Sequence, residues 1–437
     1  MITKALISAF ALFIFILPVP GTIALRYSLM LVLLCLTIVS LRKTGPEGDN
    51  QLANRAKPLV LGLALITAWF VFQATAISEE TAWALKELAN QWLPAILVAC
   101  FGMAMVRVLA RAGWNRSQIL GLVALCMLVQ VIASFVVVIP IYAAEGAFPQ
   151  GKTWFTAGKL EISYWNNLLL TLLAVDALSR WLYQKSITRL PIGLVAAGII
   201  LIFTSNLAFG ARAGLIGSGI LIVSLAVLVL LHERSRLGPF SVAAFILSST
   251  LLFVILAEMS YRSDPRWASF EETAEIAWTQ KGGAAWLNPD EVPLPDLASG
   301  VPAEASAYYR LSWIRAGLQL IGDYPLGVGY GRNAFGHALR KTTETHLGHA
   351  HSGIIDLTVG AGLPGLLLWL GLLASLVFIG LRRYFRQQDA LGLVMVFAVG
   401  GFFGRMLIDS INRDHMLMLY FLIIGILIAM PEESVDR

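Results

Sequence analysis

QILGLVALCMLVQVIASFVVVIPIY, residues 118–142, runs for 25 residues without a charged side chain. At about 1.5 Å per residue, a helix of roughly 20 such residues crosses the hydrocarbon core of a bilayer. The block has eleven counterparts, at roughly 4–20, 24–41, 58–77, 92–110, 163–179, 190–208, 213–232, 239–258, 362–381, 391–408 and 415–431. These are continuous apolar runs, without the polar stripe of a helix lying on a soluble core. Of the 437 residues, 57% are hydrophobic and only 14% are charged, against about 25% charged in a soluble domain. The expectation is an all-α polytopic membrane protein, one transmembrane domain over residues 1–437 with twelve spans.

The charge balance of +5 follows the loops. Arg42, Lys43, Arg55 and Lys57 lie between spans 2 and 3, and Arg107, Arg111 and Arg116 between 4 and 5. Arg180, Lys185 and Arg189 follow span 6, Arg234 and Arg236 follow span 8, and Arg382, Arg383 and Arg386 follow span 10. Basic residues at every even-numbered exit mark those ends as cytoplasmic, with both termini inside. The basic excess is therefore a topology signal, and no nucleic-acid partner is expected. Cys35, Cys100 and Cys126 all fall inside spans, so neither a disulfide nor a thiolate metal site is expected. The first 20 residues read as a first span, with a cleaved signal peptide as the alternative.

Residues 259–361 interrupt the rhythm of short loops, and the alternation places them outside. Polar connections this long are uncommon and usually functional. Residues 259–304, with Trp267, Trp278, Trp286 and NPDEVPLPD, read as short helices and irregular chain near the interface, where Trp is favoured. Residues 305–321 read as an amphipathic helix, with Tyr309, Trp313, Gly317 and Leu320 on one face. Asp323-Tyr-Pro325 ends it. The following PLGVGYGRNAF has no preceding strand and no Lys-Ser/Thr, so its glycines make a tight turn and not a nucleotide loop.

Five of the six histidines (His337, His346, His349, His351 and His415) fall on the outer side. Three readings of HLGHAH at 346–351 stay open: a solvated loop, a metal site, and a general base at the membrane rim. His351 is best placed for the last, close to the tenth span. Arg212 sits in a short outer loop between Gly210 and Gly214. It reads either as a snorkelling arginine or as an anion clamp that a bulky headgroup can approach. Arg310, on the helix of Tyr309 and Trp313, is either a surface arginine stacked on an aromatic ring or a second clamp. The planar guanidinium suits phosphate because it offers two parallel charge-assisted hydrogen bonds.

RLSW (310–313), DYPLGVGYGRNAF (323–335), HAHS (349–352) and DLTVGAGLPG (356–365) together resemble the signature of the O-antigen ligase and polymerase superfamily. The resemblance implies that His351 is the catalytic histidine and that Arg212 and Arg310 bind the substrate diphosphate. Trp313 and His349 are possible supporting residues. Ser352 stands where the family usually has Asn after the histidine, and Asp356 where it has Glu or Gln. Five residues on a helix would turn Asp356 about 140° away from His351, a poor place from which to steer the imidazole unless the span starts after His351.

What the resemblance further implies is glycan transfer from undecaprenyl diphosphate to a sugar hydroxyl of lipid A–core, at the periplasmic face of a bacterial inner membrane. Inversion at the anomeric carbon, independence of metal and any cofactor, and a monomer embedded in membrane lipid are expected. An O-antigen polymerase and a protein O-oligosaccharyltransferase share the donor chemistry and remain alternatives. A secondary transporter is the reading from another class, but midspan acids are few and the two halves of the chain do not correspond.

Overall fold

A helix covers each of the twelve apolar blocks in the computed structural model, which describes residues 2–44, 49–148, 153–233, 238–262, 269–279, 283–289 and 291–432. Trp267, Arg234, Arg236 and Asp290 lie outside the described residues. In chain order the helices are α1 (Ile2–Ile16), α2 (Ile23–Thr44), α3 (Asp49–Ala76), α4 (Thr81–Glu87), α5 (Leu93–Arg111), α6 (Arg116–Glu145), α7 (Lys159–Tyr183) and α8 (Ile192–Ala208). They continue as α9 (Arg212–Glu233), α10 (Pro239–Arg262), α11 (Phe270–Thr279), α12 (Ala305–Asp323), α13 (Ala334–Leu339), α14 (Gly353–Gln387), α15 (Leu391–Ile408) and α16 (Asp414–Ala429). A π-helical turn, Leu88–Trp92, joins α4 to α5. Among the described residues the only extended pairing is one isolated bridge, Asp296 with Pro302. The protein is all-α and polytopic.

Among the described residues, seven helices are long and apolar enough to cross a membrane, and four shorter apolar ones (at 2–16, 192–208, 240–255 and 414–429) accompany them. The twelfth candidate, α7, carries buried Asn166 and Asp176 among its leucines. The expected total of twelve crossings is therefore not fixed by length and composition.

The most enclosed helix is α16, buried at every residue from His415 to Ala429. Glycines let it approach α5 closely: a Cβ on Gly425 would lie 2.3 Å from the Ala99 carbonyl, and one on Gly102 2.6 Å from that of Leu422. In lipid, where apolar side chains gain little by leaving the tails, such backbone proximity is a main source of helix association. Exposed Leu31, Val136, Ile200, Leu247 and Leu367 lie on the outward faces of α2, α6, α8, α10 and α14.

The ends of the bundle differ. At the arginine-rich end Asp389 ties the α14–α15 link together, bonding Arg116 at 3.0 Å and Arg383 at 2.6 Å. Asp176 caps the α7–α8 link by accepting from the Ile187 and Thr188 amides and pairing with Arg180. The outer segment crosses the other end. Its own small core joins Trp313, Leu320, Phe335, Leu339, Ile355 and Val359 from α12, α13 and α14.

The sequence placed the start of the tenth span at 362, but α14 begins at Gly353 and breaks at Gly362, with φ 72° and ψ 176°. The turns before the break are largely apolar apart from Asp356 and run on into the span, so the boundary was set too late. The break is covered by the glycine-rich turn after α12. The Val328 and Gly329 amides donate to the Val359 and Gly360 carbonyls, and the Leu363 amide to that of Pro325. Side chains of α3 complete the seam, Trp69 donating to the Ala361 carbonyl and Gln73 to that of Gly360. Only glycine fits here: a Cβ on Gly327 would lie 2.4 Å from the Gly360 carbonyl, at φ +82°. Tyr330 then plugs into the bundle, stacked on Phe70 at 4.2 Å.

Candidate active site

His351 occupies the last turn before α14 with φ +50°, a left-handed conformation that a residue bearing a Cβ adopts only when its surroundings impose it. Those surroundings are explicit. The preceding amide, Ala350, donates to Asp356 Oδ1 at 2.8 Å. The Gly353 amide donates to the Asp409 carbonyl at 3.0 Å, and Asn412 Nδ2 to that of Gly353 at 3.1 Å. Asp356 also accepts from the Ser410 hydroxyl. Since α14 starts after His351, Asp356 sits in its first turn, buried beneath the loop. Its contacts hold the backbone and do not reach the imidazole. Ser352 is buried too, its hydroxyl 3.5 Å from the Met406 carbonyl.

The carboxylate that faces the imidazole is Asp409, at the α15–α16 link, with Oδ1 3.9 Å from His351 Nδ1. That distance is beyond a direct hydrogen bond, and Nδ1 is buried with no closer partner. Burial pushes the Asp409 carboxyl up, but His351 and the Arg405 guanidinium outweigh it and hold the group below the usual carboxylate range. Arg405 is itself 5% exposed and donates to the Leu160 carbonyl at 2.8 Å. Asp409 and Arg405 were not among the residues singled out from sequence. The signal was a charged pair, Arg405 and Asp409, spaced one helical turn apart at the outer end of an apolar block.

One face of the imidazole stacks on Trp313 at 5.1 Å and 17°. Trp313 in turn stacks on Tyr309 at 5.5 Å and donates from Nε1 to the Trp286 carbonyl at 2.8 Å. The ring of His349 lies 4.2 Å from that of His351. Burial, then the charges of Arg413 and His351, push His349 down to about 3, so it is neutral at ordinary pH. It adds no repulsion to a cation forming on His351, which the indole face favours. His346 is exposed and 4.0 Å from Glu291, while His337 stacks on Trp83 at 4.1 Å; neither lies in this cluster.

Arg212 begins α9 after a turn built on glycine: Gly210 has φ +61°. Behind it, Asn166 Nδ2 donates to Asn206 Oδ1 at 2.9 Å and to Ser205 Oγ at 3.0 Å. A Cβ on Gly214 would lie 2.4 Å from Asn206 Oδ1. This buried polar knot of α7, α8 and α9 fixes where the Arg212 side chain emerges. Arg310 projects from α12, whose path is set where Gly317 meets Ile355; a Cβ there would lie 2.1 Å from Ile355 Cγ2.

Arg212, Arg310 and His351 line one cavity of about 360 Å³, whose other walls include Leu160, Leu311, Ile314, Leu407 and Ile408. Leu407 and Ile408 are 49% and 44% exposed on the outer surface of α15, so the chamber has an apolar flank on the bundle exterior. His351 also lines a second cavity, of about 760 Å³, together with Lys159, Leu160, Arg26, Arg332, Arg413 and Asp409. Two chambers thus share a wall formed by Lys159, Leu160 and His351.

These features define a class: a multi-pass helical membrane protein with a histidine–carboxylate pair between two chambers, one of them carrying two arginines. Residues 194–370 match the family model described as O-antigen ligase, and that match supports membership of this segment in the O-antigen ligase/polymerase superfamily of membrane enzymes. The matched span contains Arg212, Arg310 and His351 and stops short of Arg405 and Asp409. No curated protein matches the chain.

Proposed function

We propose that the protein is an O-antigen ligase, transferring a glycan from undecaprenyl diphosphate to a sugar hydroxyl of lipid A–core at the periplasmic face of the inner membrane. The observation that carries this reading is the convergence of Arg212, Arg310 and His351 on one chamber with an apolar flank. A diphosphate fits beside the two guanidinium groups, and the polyprenyl chain can leave over Leu407 and Ile408 into lipid.

In the reaction the acceptor oxygen bonds to the anomeric carbon as the bond from that carbon to the diphosphate oxygen breaks. The bonding pair departs with the diphosphate, and the acceptor proton moves to His351. Arg212 and Arg310 neutralise the charge growing on the leaving group, a preorganised electrostatic contribution that is often the largest in catalysis. Asp409 faces Nδ1 at 3.9 Å, so the tautomer with its proton on Nδ1 leaves Nε2 to act as base. General-base catalysis of this kind contributes roughly 10²–10⁴ in rate. The acceptor enters from the larger chamber on the other side of His351, and in-line attack inverts the anomeric centre.

The test is transfer by the purified protein from undecaprenyl-diphosphate glycan to lipid A–core, with His351→Ala as the control. Transfer by the wild type and its loss in the variant support the reading; no transfer to any acceptor overturns it. Polymerase action is separated by the lipopolysaccharide of a deletion strain. Loss of a ligase leaves long polymer on undecaprenyl diphosphate, whereas loss of a polymerase leaves lipid A–core capped with a single unit.

A further inference from the structure

The larger chamber has a charge arrangement that base catalysis does not use. Arg26 reaches it from the start of α2, Arg332 from the glycine-rich turn and Arg413 from the α15–α16 link. The acids beside them have other partners. Asp414 pairs with Arg332 at 3.2 Å, Glu161 with His415 at 3.1 Å, and Asp409 faces His351. Among the described residues, neither Arg26 nor Arg413 makes an ion pair within hydrogen-bonding range. Arg26 is only 7% exposed; one amino group donates to the Val19 carbonyl at 2.6 Å, and its buried Nε has no hydrogen-bond partner. Arg413 is half-buried; burial pulls its guanidinium below its ordinary range against the opposing charges of Asp356, Asp414 and Asp409.

A buried guanidinium with an unbonded Nε and a half-buried one beside it, neither bonded directly to a carboxylate, favour an anionic ligand. The planar fork of each favours a tetrahedral or planar oxyanion. The rim of the chamber says where such a ligand comes from. Ile23 and Tyr27, at the outer end of α2, line it and are 63% and 42% exposed. An exposed isoleucine and tyrosine at a helix end are suited to the membrane interface, so the mouth opens at a lipid headgroup layer.

We propose that Arg26 and Arg413 form a cradle for a phosphate group of a membrane-anchored acceptor, holding it while its hydroxyl is presented to His351. This rests on the ligase reading of the site and adds the chemistry of the acceptor to it. The same anion occurs on phosphorylated lipid A–core and on an undecaprenyl-diphosphate-linked repeat unit, and the experiment distinguishes them.

Full-length purified protein is assayed with undecaprenyl-diphosphate glycan as donor and three acceptors: intact lipid A–core, the same lipid with its phosphates removed, and an undecaprenyl-diphosphate-linked single unit. Arg26→Gln and Arg413→Gln are compared with the wild type, and thermal unfolding in detergent reports whether each variant folds. The cradle predicts that removing the phosphates raises the acceptor KM of the wild type at least tenfold, with the donor KM unchanged. Each folded variant raises the KM for intact acceptor similarly but adds little on the dephosphorylated one. Faster turnover of lipid A–core assigns the phosphate to that lipid; faster turnover of the diphosphate-linked unit assigns it to a polymerase acceptor. Where lipid A–core is the acceptor turned over, equal wild-type KM for its phosphorylated and dephosphorylated forms overturns the cradle even if both variants fail to fold; where the diphosphate-linked unit is, an unchanged KM for that unit in the folded variants overturns it, and neither result touches the transfer reaction. A wild type that transfers to no acceptor overturns the underlying reading instead.

Discussion

Asp356 and Asp409 both lie within reach of the loop that carries His351, yet they act on different atoms. Asp356 accepts the Ala350 amide and the Ser410 hydroxyl, while Asp409 faces the imidazole. Asp409→Asn removes the anion that stabilises the imidazolium. Transfer should fall by about 10²-fold or more with the unfolding temperature little changed. Asp356→Asn should instead lower the unfolding temperature; steady-state assays and thermal unfolding check both. Because the Asp409 carboxyl is held low, it stabilises the fold above its ordinary titration near pH ~4, and that contribution is lost as pH falls through its lowered value. Arg212→Lys keeps the charge but loses the fork, so transfer should fail at normal protein levels. The sequence singled out His351, Arg212 and Arg310, and the structure brings the three to one cavity. The sequence did not carry Asp409's partner, because no local spacing connects residues on α15 and before α14.

At the scale of elements, the site depends on where α12 and the glycine-rich turn rest against α14. A Cβ on Gly317 would lie 2.1 Å from Ile355 Cγ2, the branch of a packed side chain. Gly317→Ala should therefore destabilise the outer segment by about 1–3 kcal/mol and move Arg310. Pairing it with Ile355→Ala should restore much of the loss, as thermal unfolding and transfer assays would show. The extent of α12, Ala305–Asp323, was legible because its apolar period and its Pro325 stop are both local signals. The start of α14 at Gly353 was not: its first turns are largely apolar, but Asp356 and the glycines at 360 and 362 interrupt the run, and Ile355 and Val359 pack against α12 and α13. The glycines of PLGVGYG were read as a turn, but their partner at Gly360–Gly362 is a tertiary pairing that composition cannot reveal.

Across the whole molecule, apolar runs were sufficient to find the helices, since in lipid each must satisfy its own backbone. The number that cross was less accessible. Short α1, α8 and α16 fall below the length of a full span, and α7 offsets its buried polar groups with partners on α8 and α9. In the proposed mechanism the two arginines and the histidine supply charge stabilisation and a base without calling on a divalent ion. Transfer should therefore persist in EDTA; its abolition, with recovery on adding Mg²⁺ or Mn²⁺, would favour the metal reading of the histidines.

The most direct test is single-turnover transfer from undecaprenyl-diphosphate glycan to lipid A–core by purified wild type, His351→Ala, Arg212→Lys and Arg310→Lys, each verified as folded in the membrane. Product in the wild type alone, with an inverted anomeric centre, is the predicted result. Normal rates in the three variants would contradict a mechanism built on that imidazole and those two guanidinium groups.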